Sequence, residues 1–125
     1  MVKPTTTEEQ KRKARVAAMG RTVGLRLRIA RVAGNFSQSE IARELDITRG
    51  RWSQFEKGQR TLSGELAAHV ALVTNLDVDF IFLGRIDSER LKPVTLGRLR
   101  RAIKQVEQEL DKRSPDTFLW NSRWG

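Results

Sequence analysis

Residues 36–58, FSQSEIARELDITRGRWSQFEKG, constrain the fold more than any other stretch of the chain. They read as two short helices joined by a tight turn. Ser37 is placed to cap the first helix, and Glu40, three residues on, completes a capping box. Ile41, Ala42 and Leu45 then recur at helical spacing on one face. Asp46-Ile47-Thr48 interrupts that pattern, with Ile47 pointing inward and Thr48 able to cap the next helix. In the second helix Trp52 and Phe55 share the inner face, which leaves Arg49, Gly50, Arg51, Ser53 and Gln54 outside. A helix with small, polar and basic residues exposed near its start suits the major groove of DNA.

The pattern resembles the phage-repressor-type helix-turn-helix family, the Cro/repressor-like or XRE group. The resemblance rests on Phe36, Ser37, Gln38, Ile41, Ala42, Leu45, Ile47, Phe55, Glu56 and Gly58. Upstream, Leu27, Ala30 and Arg31 fit the family's first helix, and Leu76 to Gly84 fits its closing segment. It implies an all-α fold: a five-helix lambda-repressor-like DNA-binding domain, here followed by a C-terminal amphipathic helix. Two positions depart from the pattern. Asp46 stands where the family's turn has Gly, and it tolerates a left-handed backbone better than most residues. Gly50 in the recognition helix costs roughly 1 kcal/mol against Ala; either it lets the backbone approach a base or phosphate, or it is a tolerated first-turn glycine.

Composition narrows the partners. The chain carries 24 Lys and Arg against 15 Asp and Glu, a net charge of +9, which favours a polyanion, usually nucleic acid. The surplus is uneven: residues 1–35 hold nine basic residues against two acids, and residues 61–92 hold three against five. Charge alone gives sequence-blind attraction to phosphates, so specificity must come from the helix. With no cysteine, a disulfide framework and a thiolate metal site are both excluded. No stretch has the length of a membrane span or the apolar region of a signal peptide, so the expected compartment is the cytoplasm, with no membrane partner.

At 125 residues the chain has room for one domain with appendages. Residues 1–18 read as a basic N-terminal extension, partly helical, started by Thr5 or Thr6 with Glu8 or Glu9. Its run Lys11, Arg12, Lys13 and Arg15 is either an arm for the DNA backbone or a solvated face. Residues 19–86 form the helix-turn-helix domain. Its first helix carries two apolar stripes, Val23-Leu27-Ala30 and Leu25-Ile29-Val32, and so requires two partners. The second partner is the N-terminal segment, the C-terminal helix or another subunit. Gly34-Asn35 ends this helix. His69, the only histidine, reads as a surface or core residue, not a ligand. Residues 87–93 are a linker and 94–113 an amphipathic helix. There Leu96, Leu99, Ile103, Val106 and Leu110 form a seam spaced for dimerisation or for docking on the chain's own domain, dimerisation being the expectation. Residues 114–125 form a tail with Phe118, Leu119, Trp120 and Trp124, a set that calls for a partner surface.

The resemblance assigns roles to the reading head. Arg49, Gly50, Arg51, Ser53 and Gln54 face the bases; Arg pairs with guanine O6 and N7, Gln with adenine N6 and N7. Ser37, Gln38, Arg43, Thr48, Lys57 and Arg60 face the backbone or orient the helix, because phosphate contacts position without reading sequence. Gln38 also braces a recognition-helix residue. Arg31 and Glu56 match an ion pair that ties the first helix to the end of the recognition helix. The implied function is a sequence-specific transcriptional regulator, a dimeric repressor reading a two-fold site on double-stranded DNA, with no cofactor or metal. The alternative is an antitoxin or adaptor whose C-terminal helix and aromatic tail bind a protein. A nucleoid-type architectural role explains the charge but not the motif. No constellation of nucleophile, base and oxyanion donors points to an enzyme.

Overall fold

The computed structural model describes residues 7–111, and every element among them is helical: α1 (Glu8–Ala33), α2 (Gln38–Glu44), α3 (Arg49–Glu56), α4 (Gly64–Thr74), α5 (Val78–Leu83) and α6 (Pro93–Asp111). The all-α expectation holds. The aromatic tail, with Phe118, Leu119, Trp120 and Trp124, lies outside the described residues.

α1 is longer than its sequence suggested. Residues before 19 do not form a separate extension; they are the first turns of one 26-residue helix, about 39 Å long at 1.5 Å per residue. Its cap is Thr7, not Thr5 or Thr6, and Gln10 in place of a glutamate closes the capping box. Past Thr7 no proline interrupts the helix, and a single helical glycine such as Gly20 costs only about 1 kcal/mol. Lys11 and Lys13 pair with Glu8 and Glu9 on this same helix, at 3.6 and 3.5 Å, so this part of the basic run is no free arm. The helix ends in a Schellman turn. Asn35, in the left-handed region at φ 61°, donates to the Val32 carbonyl and Phe36 to that of Arg31. A Cβ on Gly34 would meet the Phe36 ring at 2.8 Å, which explains the small residue just before the turn.

α1 is the scaffold on which α3, α4, α5 and α6 pack. Its first stripe, Val23, Leu27 and Ala30, is buried. Arg26 is buried too, and its Nη1 donates to the carbonyls of Ile81 and Phe82 at 3.4 and 2.9 Å. These belong to the last turn of α5 and have no partner within that helix. Burial lowers the Arg26 pKa, yet a guanidinium stays charged in proteins.

The second stripe settles where the C-terminal helix goes. Ile29 is fully buried, Leu25 and Val32 half-buried, and α6 lies antiparallel along α1. Arg28 pairs with Glu109, whereas Val32 and Ala33 lie beside Arg101 and Ala102, two turns back on α6. The seam expected at a dimer interface is therefore spent within the chain. Leu99, Ile103 and Val106 are buried, with Leu96 and Leu110 half-covered at the ends. Peeling α6 away would re-expose three large side chains worth about 1.5–3 kcal/mol each. The segment that links α5 to α6 is itself turned: the Asp87 carboxylate accepts from the backbone N–H groups of Glu89 and Arg90 at 3.0 and 3.3 Å, folding α6 back toward α1.

Candidate nucleic-acid interface

The interface is built from α2, a turn and α3. Ser37 caps α2 through the Glu40 N–H at 3.0 Å, and the Glu40 carboxylate accepts from the Ser37 N–H at 2.9 Å. That backbone hydrogen bond, then the Ser37 side chain and the nearby Arg43 charge, hold the Glu40 carboxyl below its usual range. α2 ends in a second Schellman turn, with the Asp46 N–H on the Arg43 carbonyl and the Ile47 N–H on that of Ala42. Asp46 takes the left-handed conformation, φ 56°, at the position where the family has Gly. Ile47 is half-buried against the core, and Thr48 caps α3 by accepting from the Arg51 N–H at 3.1 Å.

α3 presents two faces. Inside, Trp52 is fully buried and Phe55 nearly so, which fixes the angle between α2 and α3. Outside, Arg49, Gly50, Arg51 and Gln54 are exposed and Ser53 is half-exposed. A Cβ on Gly50 would meet nothing within 4 Å, so nothing in the fold demands glycine there. Arg43 and Lys57, at the ends of α2 and α3, are also exposed, as are Ser37 and Thr48. Arg60 behaves differently from a free phosphate ligand: its Nε donates to the Gln54 Oε1 at 3.0 Å, coupling it to an outward-facing residue of α3.

One carboxylate locks this head to the scaffold. Glu56 accepts from Arg31 Nε at 2.6 Å and Nη2 at 3.4 Å, from Gln38 Nε2 at 3.5 Å, and from the Trp52 indole N–H. Arg31 also donates to the Phe36 carbonyl at 3.0 Å. Side chains from α1, α2 and α3 thus converge on a single acceptor that is almost wholly buried, and Gln38 braces the recognition helix through it. The indole donor has no advance sign in the sequence beyond the i, i+4 spacing of Trp52 and Glu56.

Gly24 was likewise missed. A Cβ there would stand 2.4 Å from the Glu56 carbonyl oxygen and 2.7 Å from that of Phe55, so α1 and the end of α3 touch backbone to backbone. Its signal was a glycine inside a strongly helical segment, one residue after Val23 on the core stripe. His69 is exposed on α4, and no group of His, Cys, Asp or Glu among the described residues could hold a metal ion. No helix among them is long and apolar enough to cross a membrane.

Residues 22–79, from within α1 to the start of α5, match a family model described as a helix-turn-helix domain. No curated protein and no solved structure matches the chain.

Proposed function

Since residues 22–79 form a helix-turn-helix domain of the XRE/Cro-like type, we propose that the protein is a sequence-specific DNA-binding transcriptional regulator, a repressor that inserts α3 into the major groove. The observation that carries this reading is the outer face of α3. Arg49, Arg51 and Gln54 stand exposed on a helix whose other side is locked by Trp52, Phe55 and the Glu56 node. Rigid placement of two guanidiniums and an amide is what base-edge recognition requires, because bidentate pairing tolerates little angular error. Arg49 and Gln54 read bases, with Arg51 and Ser53 beside them. Lys57 and Arg43 take phosphates. The protein works as a homodimer on two inverted half-sites, as modules of this kind do, and the pairing surface lies elsewhere than on the α6 seam. Its work is binding, not catalysis, in the compartment that holds the DNA.

The test is selection of bound duplexes from a random pool near physiological salt. Enrichment of two inverted half-sites one helical turn apart, about 10–11 base pairs, supports a dimeric sequence reader. Recovery of no motif, with binding that only tracks salt, would instead make it a sequence-blind DNA binder.

A further inference from the structure

Four exposed cations ride on α6: Arg98, Arg100, Arg101 and Lys104. At 100° per residue they divide between two flanks of the buried Leu99-Ala102-Ile103-Val106 stripe. Arg98 and Arg101 fall on one flank, Arg100 and Lys104 on the other. The first flank borders an open cleft of about 500 Å³ whose far wall is Val32 to Asn35, the end of α1. Gln105 and Asn35 are the other polar side chains on it, and no acidic residue lines it. Arg98 and Arg101 form no ion pair among the described residues, in contrast to Arg28, which Glu109 neutralises on the same pair of helices.

The place of this flank matters as much as its charge. Asn35 precedes by two residues Ser37, the cap of α2, so the cleft wall and the edge of the helix-turn-helix are within about 7 Å along the chain. The cleft continues the surface that the proposed reading presents to DNA. Docking of α6 on α1 is what brings the two guanidiniums there, and the Arg28–Glu109 pair and the buried stripe hold them in place.

We propose that Arg98 and Arg101 form a second, sequence-blind contact with the DNA backbone, taking phosphates that flank the half-site read by α3. This rests on the DNA-binding reading above. It gives α6 a role in binding DNA in place of the pairing role that its seam suggested. Two guanidiniums with unpaired charge on a wall without acids suit phosphate oxygens, which they can meet by paired N–H donors.

The test compares the full chain with R98A/R101A and R100A/K104A by fluorescence anisotropy on a selected duplex and on a random one, from 50 to 200 mM KCl. R98A/R101A is expected to lower the salt slope by about two units, since each phosphate contact contributes about 0.9. Wild type then loses about twelve-fold more affinity than R98A/R101A over that range. Specific and random DNA weaken alike, R100A/K104A keeps the wild-type slope, and R98K/R101K restores it. All the substituted positions are exposed, and unchanged thermal unfolding by circular dichroism checks the fold. An unchanged slope for R98A/R101A overturns the proposal, as does an equal fall for both pairs, which would show net charge alone at work. A wild-type chain that selects no motif but still loses slope in R98A/R101A keeps this contact and defeats only the sequence-reading function. A wild-type chain that binds no DNA defeats both.

Discussion

Replacing Glu56 by Gln keeps the shape of the side chain but turns one of its two acceptor oxygens into a donor. Trp52 Nε1 and Arg31 Nε converge on Oε2, while Arg31 Nη2 and Gln38 Nε2 approach Oε1. Whichever way the new amide turns, its NH2 group faces N–H groups, and the Arg31 charge loses its counter-ion. The Glu56 and Arg31 side chains are only 6% and 15% exposed, so water cannot step in fully. Breaking one partner of a buried pair costs about 3–5 kcal/mol. The retained oxygen argues for the lower end, about 3 kcal/mol, a large share of the 5–15 kcal/mol typical of a whole domain. In urea, with slopes of about 1–3 kcal/mol per M, the midpoint should fall by roughly 1–3 M with the slope unchanged. Unfolding is followed by circular dichroism and by tryptophan emission, which reports on the node through Trp52. The loss should persist in 1 M salt, because a buried pair is poorly screened. A shift worth less than about 1 kcal/mol, or one that vanishes in high salt, would refute the view that this carboxylate holds the three helices together.

Gly24→Ala should destabilise by at least about 1–3 kcal/mol despite its better helix propensity, since the new methyl meets carbonyl oxygens of α3; a rise in melting temperature would show that the helices can part cheaply. Gly50→Ala should stabilise by about 0.5–1 kcal/mol, as nothing crowds that site. If its DNA affinity is unchanged, close backbone approach at Gly50 is ruled out. Gln54→Ala should cost about 1–3 kcal/mol on a selected site and relax one base pair. Arg60→Ala should weaken the same base pair, and the double variant should cost less than the sum, because Arg60 donates to Gln54; strict additivity would return Arg60 to the phosphate list. The lowered Glu40 pKa means that its capping box stabilises the fold above the ordinary carboxylate pKa and is lost as pH falls through the lower, folded value. An NMR titration in which the Glu40 carboxyl and the Ser37 amide move together below the usual glutamate range is expected; titration within that range would deny the hydrogen bond its effect.

How much of this was legible beforehand depends on the range of each interaction. The α2–turn–α3 unit was readable because its signals are local. Ser37 and Glu40 are three residues apart, Asp46 needs only to accept a left-handed turn, and Trp52 and Phe55 share a face by helical spacing alone. The Arg31–Glu56 pair spans 25 residues and was reached only through the family resemblance, not through spacing. Residues 8–18 were misjudged for a different reason: weak apolar content was taken as a boundary, whereas an uninterrupted hydrogen-bonded helix needs no apolar face to continue.

By itself the sequence determined the helices, their caps and the outward face of α3, since each follows from backbone hydrogen bonding and side-chain spacing within a few residues. Only the tertiary structure decided which surfaces those helices share. A seam of Leu99, Ile103 and Val106 looks the same whether it meets a second subunit or the chain's own α1. The Leu25-Ile29-Val32 stripe, tethered nearby by a short turn, covers it at little cost in chain entropy. The closeness of Gly24 to the end of α3, the hold of Arg26 on α5 and the place of Arg98 beside Asn35 all follow from that packing, because they join residues whose separation along the chain carries no local signal.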